Sequence, residues 1–236
     1  MKYLVVFAHH EPNSFNGALL RTAVEHLESQ GHEVKTSDLY AMGFDPVSDR
    51  RNFKETAQAD YLKQQIEERH ASEGGGFSAD IAAEQEKLLW ADGLILQFPL
   101  WWFSMPAILK GWVDRVFANG VIYGGGKWYD HGVFKGKRAM VSMTTGGPAT
   151  MYSPDGLNGD MDMLMYPVNH GILRFTGYDV LPQLVAWAPA HVDDATRAGY
   201  LDQLKDRLDH FWDETPITYP GVDDYEPETF LRKTGD

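Results

Sequence analysis

Short apolar runs alternate along this chain with longer segments in which apolar residues recur every three or four positions. The apolar runs predict five strands: Lys2–His9, Glu33–Leu39, Gly93–Leu100, Ala139–Thr144 and Asp179–Trp187. The other segments predict helices: one that begins at Asn16 or Gly17 and ends near Gly31, then 55–70, Ala79–Trp90, Pro106–Ala118, 163–175 and 193–212. Strands separated by helices favour a parallel sheet, because each helix returns the chain to the start of the next strand.

This element order predicts an α/β fold. We expect a flavodoxin-like, doubly wound five-stranded parallel sheet with helices on both faces. In that strand order the loops after the first and third strands adjoin, at the edge where such sheets bind ligands. Residues 1–214 are predicted to form this domain. Residues 215–236 are rich in proline and acidic side chains, lack periodicity, and are predicted to form a short arm on the surface or on a partner.

The amino-acid composition argues against several classes of protein. The 236 residues include no cysteine, which excludes a disulfide framework, a thiolate nucleophile and a Cys-ligated metal. The net charge of −13 argues against a nucleic-acid surface. No apolar stretch approaches the roughly 20 residues that span a bilayer, and the run Tyr3–Ala8 is too short for a signal peptide. We therefore expect no membrane insertion and a cytoplasmic location.

The segment Gln97–Lys110, QFPLWWFSMPAILK, is the most informative in the chain. It places Trp101, Trp102 and Phe103 between a buried strand and a helix that Pro106 can begin. Large aromatic side chains on a loop are costly to expose. They can form the wall of a site for a flat, conjugated cofactor, or they can fill a subunit interface. Both interpretations hold if the site lies at the interface.

The loop after the first strand, His9–Gly17, leads into a helix N-terminus. Such a terminus can bind a phosphate, or the loop can be a simple helix cap. No glycine-rich dinucleotide motif or nucleoside-triphosphate motif is present. Because consecutive residues leaving a strand point in different directions, we expect no metal at His9, His10 and Glu11.

Thr144-Thr145-Gly146-Gly147 ends the fourth strand. Its hydroxyls and glycine amides can hydrogen-bond the polar edge of a ring system, or the segment can be an ordinary glycine turn. Tyr152 follows closely and can reach the same edge.

Together these segments resemble the NAD(P)H:quinone oxidoreductase (DT-diaphorase) family of flavodoxin-like flavoproteins. The resemblance spans almost the whole chain, and its motifs are specific in combination. They are Ala8-His9 with Ser14-Phe15-Asn16, Ser37–Met42, Ala83-Glu84-Gln85, Gln97–Trp112, Thr144–Gly147, Met151-Tyr152-Ser153, Gly159-Asp160-Met161 and Trp212–Pro216.

The resemblance implies a homodimer with each site at the subunit interface, a bound FAD (FMN being less expected) and NAD(P)H as hydride donor. The flavin ring would lie against two segments and Tyr152: Pro99, Leu100, Trp101, Trp102 and Phe103, and Thr144, Thr145, Gly146 and Gly147. The residues implied for the phosphates and ribityl chain are His9, Ser14, Phe15 and Asn16. Arg197 would lie near the adenosine.

Two positions depart from the family pattern. The family has histidine where this chain has Asn158, and it pairs with the tyrosine matching Tyr152 to manage charge on the flavin. Asparagine can donate a hydrogen bond but cannot take up a proton near pH 7. The substrate-facing loop has two tyrosines in better-known members but reads Ile122-Tyr123-Gly124-Gly125-Gly126 here.

Tyr152 and Asn158 are therefore the candidate catalytic residues. The candidate substrate-binding residues are Ile122, Tyr123, Gly124 and Trp102, around a pocket that we expect to be wider or more mobile because one tyrosine is missing.

The implied activity is FAD-dependent, two-electron reduction of quinones or similar flat acceptors by NAD(P)H. It would follow a ping-pong mechanism, in which hydride passes by way of the flavin and the donor leaves before the acceptor enters. The alternative function is a flavin-binding ancillary subunit that regulates a potassium-efflux antiporter, as some relatives of the family do. A third possibility, an FMN-binding electron carrier, is weakened by Arg197 and by the length of chain after the fifth strand.

Overall fold

A computed structural model describes residues 1–233 of the chain. Its strands are β1 (Lys2–Phe7), β2 (Glu33–Asp38), β3 (Gly93–Pro99), β4 (Arg138–Thr144), β5 (Asp179–Val180) and β6 (Leu184–Ala186). They pair in parallel in the order β2-β1-β3-β4-β5, and β6 also pairs with β4. The predicted flavodoxin-like order is confirmed.

The fifth predicted strand, Asp179–Trp187, is interrupted. The Leu181 amide still donates to the Ala139 carbonyl at 2.8 Å. Pro182 follows and has no N–H to donate, so the ladder stops there and resumes as β6 at Leu184.

Residues 1–233 form six α-helices around the sheet: α1 (Phe15–Ser29), α2 (Gln64–Gly74), α3 (Ala79–Trp90), α4 (Ala107–Val116), α5 (Met161–Val168) and α6 (Asp194–Asp209). The cap of α1 differs from the prediction. Ser14, rather than Asn16 or Gly17, precedes the helix, and its Oγ accepts the Gly17 amide at 3.2 Å. A short hydroxyl side chain in extended backbone is well suited to that position.

Two other helices begin elsewhere than predicted. The helix predicted over 55–70 begins only at Gln64, because Ala57 and Gln58 donate their amides to the Glu67 carboxylate instead of to helical carbonyls. The helix predicted from 163 begins at Met161, where the Asp160 side chain caps it. It continues as a π-helical turn over Asn169–Arg174.

Helices cover both faces of the sheet, as predicted. Alternate residues of β1 serve the two faces: Leu4 and Val6 join one buried cluster, and Tyr3 and Val5 join the other. Neither face of β1 meets water from Tyr3 onwards, which agrees with the apolar sequence Tyr3–Phe7.

Residues 215–233 of the predicted arm lie against the sheet domain. The Ile217 amide donates to Val180 O at 2.8 Å, and the Val222 amide donates to the Asp130 carboxylate at 2.6 Å. Residues 234–236 of that prediction lie outside the described residues. Within residues 1–233, none of the helices has the length and apolar character needed to cross a membrane.

Candidate active site

A pocket of about 600 Å³ lies at the carboxyl ends of β1, β3 and β4. Sites for small molecules typically have about 300–1,000 Å³. The predicted cofactor residues that line it are His9, Ser14, Phe15, Asn16, Pro99, Leu100, Trp101, Thr144, Thr145, Gly146 and Arg197. Asn13, Ala18, Pro189 and Ala190 also line it and were not predicted. Pro189 and Ala190 follow β6 at this same edge, a position that the topology alone indicates.

Three buried polar side chains assemble this edge. Gln97 Nε2 donates to Asn16 Oδ1 at 2.9 Å, and Asn16 Nδ2 donates to Thr144 Oγ1 at 2.8 Å. These bonds hold the start of α1 against the ends of β3 and β4. Both polar atoms of the Asn16 side chain thus have partners within the protein, and these bonds fix its position at the pocket.

The start of α1 offers free backbone donors. Ser14 Oγ occupies the Gly17 amide, whereas the amides of Phe15 and Asn16 have no hydrogen-bond partner among residues 1–233. Free amides and the positive end of the helix dipole favour an anion such as a phosphate. Gly17 permits the tight approach of the loop, since a Cβ there would lie 2.0 Å from the Pro12 carbonyl oxygen.

His9 stands at the rim of the pocket. Its Nδ1 accepts the Glu11 amide at 3.0 Å, and its ring stacks on His10 at 4.7 Å. Burial lowers the pKa of His9, although a hydrogen bond from the protonated Nδ1 to the Glu11 carbonyl, 3.1 Å away, opposes this. The neutral imidazole is therefore favoured near pH 7. Within the described chain, no group of three or more histidine or acidic side chains is arranged to hold a metal ion.

The aromatic turn, Trp101–Ser104, has a strained backbone. Trp101 and Ser104 exchange two backbone hydrogen bonds of 3.0 Å, with Trp102 (φ 50°) and Phe103 (φ 60°) between them in the left-handed region. Turns of this kind normally use glycine, asparagine or aspartate there, because left-handed backbone costs other residues about 1–2 kcal/mol each. Trp102 is 95% exposed and therefore gains almost no packing within the chain to offset this cost, whereas Phe103 is 47% exposed. Such strain is a frequent feature of functional sites.

Gly146 and Gly147 have different surroundings. A Cβ on Gly146 would meet no atom within 4 Å, whereas one on Gly147 would lie 2.8 Å from Met151 Sδ. Gly146 therefore faces open space in the pocket, and Gly147 packs against the following segment. Gly147, like Trp102 and Phe103, does not line the pocket itself.

Tyr152 and Asn158 belong to that following segment. Tyr152 is 9% exposed and packs beside Trp187 at 5.5 Å between ring centroids. Its hydroxyl has no hydrogen-bond partner among the described residues, and it does not line the pocket. The Asn158 backbone N–H donates to Met151 O at 2.9 Å. This bond closes the turn 151–158, which contains both candidate catalytic residues.

Arg197 reaches the pocket from α6 but is already engaged. Its guanidinium donates to the carbonyl of Pro189 at 2.9 Å and also to Val192 O and the Asp194 carboxylate. These bonds brace the Pro189–Val192 loop along one side of the pocket.

The predicted substrate loop, Ile122–Gly124, lies outside the cofactor pocket. Ile122 is fully buried in the apolar core, so its side chain packs inward, and its predicted contact with substrate would have to be through its backbone. Tyr123 lines a separate cavity of about 370 Å³ together with Phe117 and Phe175. Gly124 follows with φ 106°. Within one chain, therefore, Tyr123 and the cofactor pocket do not form a single cavity.

Comparison with known proteins agrees with this fold. A family model described as "Flavodoxin-like fold" matches residues 1–208. NAD(P)H dehydrogenase (quinone) 1 of Rattus norvegicus is 42% identical over 217 residues, which cover 92% of this chain and 79% of that protein. Ribosyldihydronicotinamide dehydrogenase (quinone) of Homo sapiens is also 42% identical over 217 residues, covering 92% and 94%.

A solved structure is similar over nearly its full length. It is a protein of Klebsiella pneumoniae described as a candidate quinone reductase, with 44% identity and a TM-score of 0.96 over 99% of this chain and 94% of that one. The strand order, the pocket at the carboxyl edge and these similarities lead to one conclusion. The chain belongs to the flavodoxin-like NAD(P)H:quinone oxidoreductase family.

Proposed function

We propose that this protein is an FAD-dependent NAD(P)H:quinone oxidoreductase that reduces quinones or similar flat acceptors by two electrons. The observation that carries the proposal is the pocket at the carboxyl edge of the sheet. It brings together the free amides at the start of α1, the first residue of the aromatic turn and the Thr144–Gly146 segment. The names of the relatives at 42% identity support the classes of donor and acceptor.

The residues of the pocket suit a flavin. Amides at Phe15 and Asn16 can hold phosphate, Trp101 offers a flat face, and Gly146 leaves space beside a ring edge. Pro189, Ala190 and Arg197 also line the pocket and offer a place for the adenosine part of FAD. When bound, a flavin would supply the hydride chemistry that protein side chains lack.

The protein's own residues bind, orient and stabilise charge. The unpartnered Tyr152 hydroxyl can donate a hydrogen bond towards the ring edge, where negative charge develops during hydride transfer. Asn158 can donate as well, but it cannot take up a proton near pH 7. His9, neutral because burial lowers its pKa, can donate from Nε2 without adding charge.

We also propose a homodimer in which a second copy completes each site. Trp102 and Phe103 are exposed on a strained turn, and Tyr123 lies on another cavity of the same chain. A second copy that places its Tyr123 over the aromatic turn would bury both surfaces and enclose the acceptor. Donor and acceptor would use this enclosed space in turn, which predicts ping-pong kinetics.

Purification of the intact protein tests the proposal. We expect a yellow protein, FAD as the released cofactor, a dimeric mass in sedimentation and parallel double-reciprocal plots with NAD(P)H and a quinone. A colourless protein that takes up neither FAD nor FMN would contradict the proposal. Rapid turnover with NAD(P)H and quinone alone would distinguish an enzyme from an ancillary subunit of a potassium-efflux antiporter.

A further inference from the structure

Two adjacent carboxylates of α2, those of Glu67 and Glu68, are buried, with residue exposures of 1% and 4%. Burying a carboxylate is unfavourable unless hydrogen bonds compensate. Glu67 accepts the amides of Ala57 and Gln58 at 2.5 and 3.0 Å. Glu68 instead accepts the Asn119 amide at 2.7 Å. The two side chains therefore hold two different loops.

The loop held by Glu68 spans residues 119–126 and is called the Tyr123 loop below. It is closed by a hydrogen bond of 2.8 Å from the Gly120 amide to the Tyr123 carbonyl. It also lies hard against α2, since a Cβ on Gly120 would be 2.3 Å from Ser72 Oγ. Ile122 anchors its other side in the core. The Glu68 bond thus acts at the start of a short, closed loop.

Of the two hydrogen bonds that Glu68 makes to the Tyr123 loop, the one to Asn119 is the shorter. The other Glu68 oxygen accepts Gln64 Nε2 at 2.7 Å, so both oxygens receive groups that donate. The Tyr123 hydroxyl is 3.5 Å from Glu68, at the limit of hydrogen bonding. Burial raises the pKa of Glu68, and its hydrogen bonds with Asn119, Gln64 and Tyr123 oppose that rise.

The second half of the loop has little stiffness of its own. Gly124, Gly125 and Gly126 have φ values of 106°, 61° and 84°, a region that glycine adopts freely. The position of Tyr123 therefore depends on the first half, where Glu68 holds Asn119, together with contacts of the Tyr123 side chain with Phe175 at 5.9 Å between ring centroids and with Gln65 at 3.4 Å.

We propose that Glu68 is a positioning residue for the acceptor: by holding Asn119 it fixes Tyr123, the aromatic wall of the quinone site. This rests on the proposed function, which gives Tyr123 that role. Glu68 itself touches no reacting group.

The test compares Glu68→Ala and Glu68→Gln with the matched controls Glu67→Ala and Glu67→Gln, all in the flavin-loaded protein. Hydrogen exchange by mass spectrometry reports on the loops, and steady-state kinetics report the quinone KM and kcat. We expect Glu68→Ala to raise exchange in 119–126 and to raise the quinone KM on the order of tenfold, the effect of losing one hydrogen bond to a charged group, with kcat within about twofold. Glu68→Gln, which keeps an oxygen for the Asn119 amide, should stay near wild type in both readouts.

The Glu67 variants are the controls, and they should affect the loop at Ala57 and Gln58 instead. Glu67→Ala should raise exchange around Ala57 and Gln58 while the quinone KM stays unchanged. Equal KM effects from Glu67→Ala and Glu68→Ala, or exchange in 119–126 that Glu68→Ala does not alter, would overturn the inference. So would increased exchange with an unchanged KM. If Glu68→Ala does not fold, Glu68→Met, which fills a similar volume without an oxygen for the Asn119 amide, is compared with Glu67→Met by the same readouts; an equal rise in quinone KM in both overturns the assignment. A wild-type protein without quinone activity would end the proposed function, whereas the exchange data would still show whether Glu68 holds the loop.

Discussion

The buried side chains of Asn16 and Thr144, separated by 128 positions in the sequence, share a hydrogen bond of 2.8 Å. This bond joins the start of α1 to the end of β4, and Gln97 extends the connection to β3. The geometry of the cofactor pocket therefore depends on a polar contact inside the protein. A similar contact at the surface would contribute far less to stability.

Replacing Asn16 by alanine should lower both stability and flavin content. Asn16→Ala leaves the Thr144 hydroxyl and the side-chain amide of Gln97 buried without their Asn16 partner. This should lower the free energy of unfolding by about 2 kcal/mol. Urea unfolding and the absorbance ratio of flavin to protein measure the two effects. Ser29→Ala, at an exposed hydroxyl of the same helix, is the control and should change stability by less than about 0.5 kcal/mol.

A bulky side chain at position 146 should exclude the cofactor without unfolding the protein. Gly146 faces open space and has no left-handed φ, so Gly146→Leu introduces no backbone strain and fills the pocket. We expect an apoprotein of nearly wild-type melting temperature that takes up little FAD in equilibrium dialysis. Gly199→Leu, on the exposed face of α6, should bind FAD normally. Full FAD content in Gly146→Leu would show that the ring edge lies elsewhere.

The strain at Trp102 predicts different stabilities for two variants with the same loss of function. Trp102→Gly and Trp102→Ala both remove the indole, but only glycine adopts φ 50° without cost. The glycine variant should be more stable than the alanine variant by about 1 kcal/mol, whereas quinone turnover should fall similarly in both. Chemical unfolding and turnover assays on the pair measure this. Equal stabilities would mean that the turn relaxes when the indole is removed.

Tyr152 should matter for charge stabilisation rather than for binding. Removing a donor aimed at developing charge typically costs about 3 kcal/mol, or on the order of a hundredfold in rate. Tyr152→Phe should therefore slow flavin reduction by NAD(P)H in stopped flow while flavin content stays near wild type. An unchanged reduction rate would reduce Tyr152 to a packing residue beside Trp187.

Asn158 allows a complementary test. Asn158→His introduces a group that titrates near neutrality, so the reduction rate should be maintained or raised and should acquire a pH dependence between about pH 6 and 8. The same stopped-flow series across pH, with wild type as control, measures it. Identical pH profiles of Asn158→His and wild type would show that the side chain at position 158 takes no part in proton transfer during flavin reduction.

Acidification should loosen the C-terminal segment through His170. The ring of His170 stacks on Tyr166 and meets Tyr219 edge-on at 4.9 Å. Burial, and secondly the charge of Arg174, lowers the pKa of His170 below its ordinary 6.5. The stability that the neutral ring contributes is thus present above pH 6.5 and is lost as pH falls through the folded-state pKa.

Limited proteolysis of residues 219–233 at pH 7 and pH 5 measures this effect. Cleavage should be faster at pH 5 in wild type and in the surface control His191→Phe, and His170→Phe should reduce the difference. If His170→Phe is as pH-sensitive as wild type, other groups control the segment.

Much of the architecture follows from local sequence pattern. The helix Ala79–Trp90 has the predicted bounds, because its apolar positions repeat at helical spacing. Ser78 precedes it but makes no capping hydrogen bond, since its hydroxyl donates to the Asp80 carboxylate. β3 is buried at every position, as its continuous apolar run indicates. The segments at the pocket were also identifiable, since they stand directly after strands whose carboxyl ends share one edge.

Only the tertiary structure determined which residues each of these side chains contacts. The hydrogen-bond ladder with β4 is interrupted at Pro182 because of the register in which the two strands pair. The inward position of the Ile122 side chain depends on core residues that are distant in sequence. Asn16 has its side chain occupied by Gln97 and Thr144, and Glu68 reaches across to Asn119. The sequence determined the strands, the helices and the loops of the site, because short-range periodicity and turn chemistry encode them. The partners of each buried polar group were settled only by packing, because hydrogen bonds between distant segments exist only after the chain has folded.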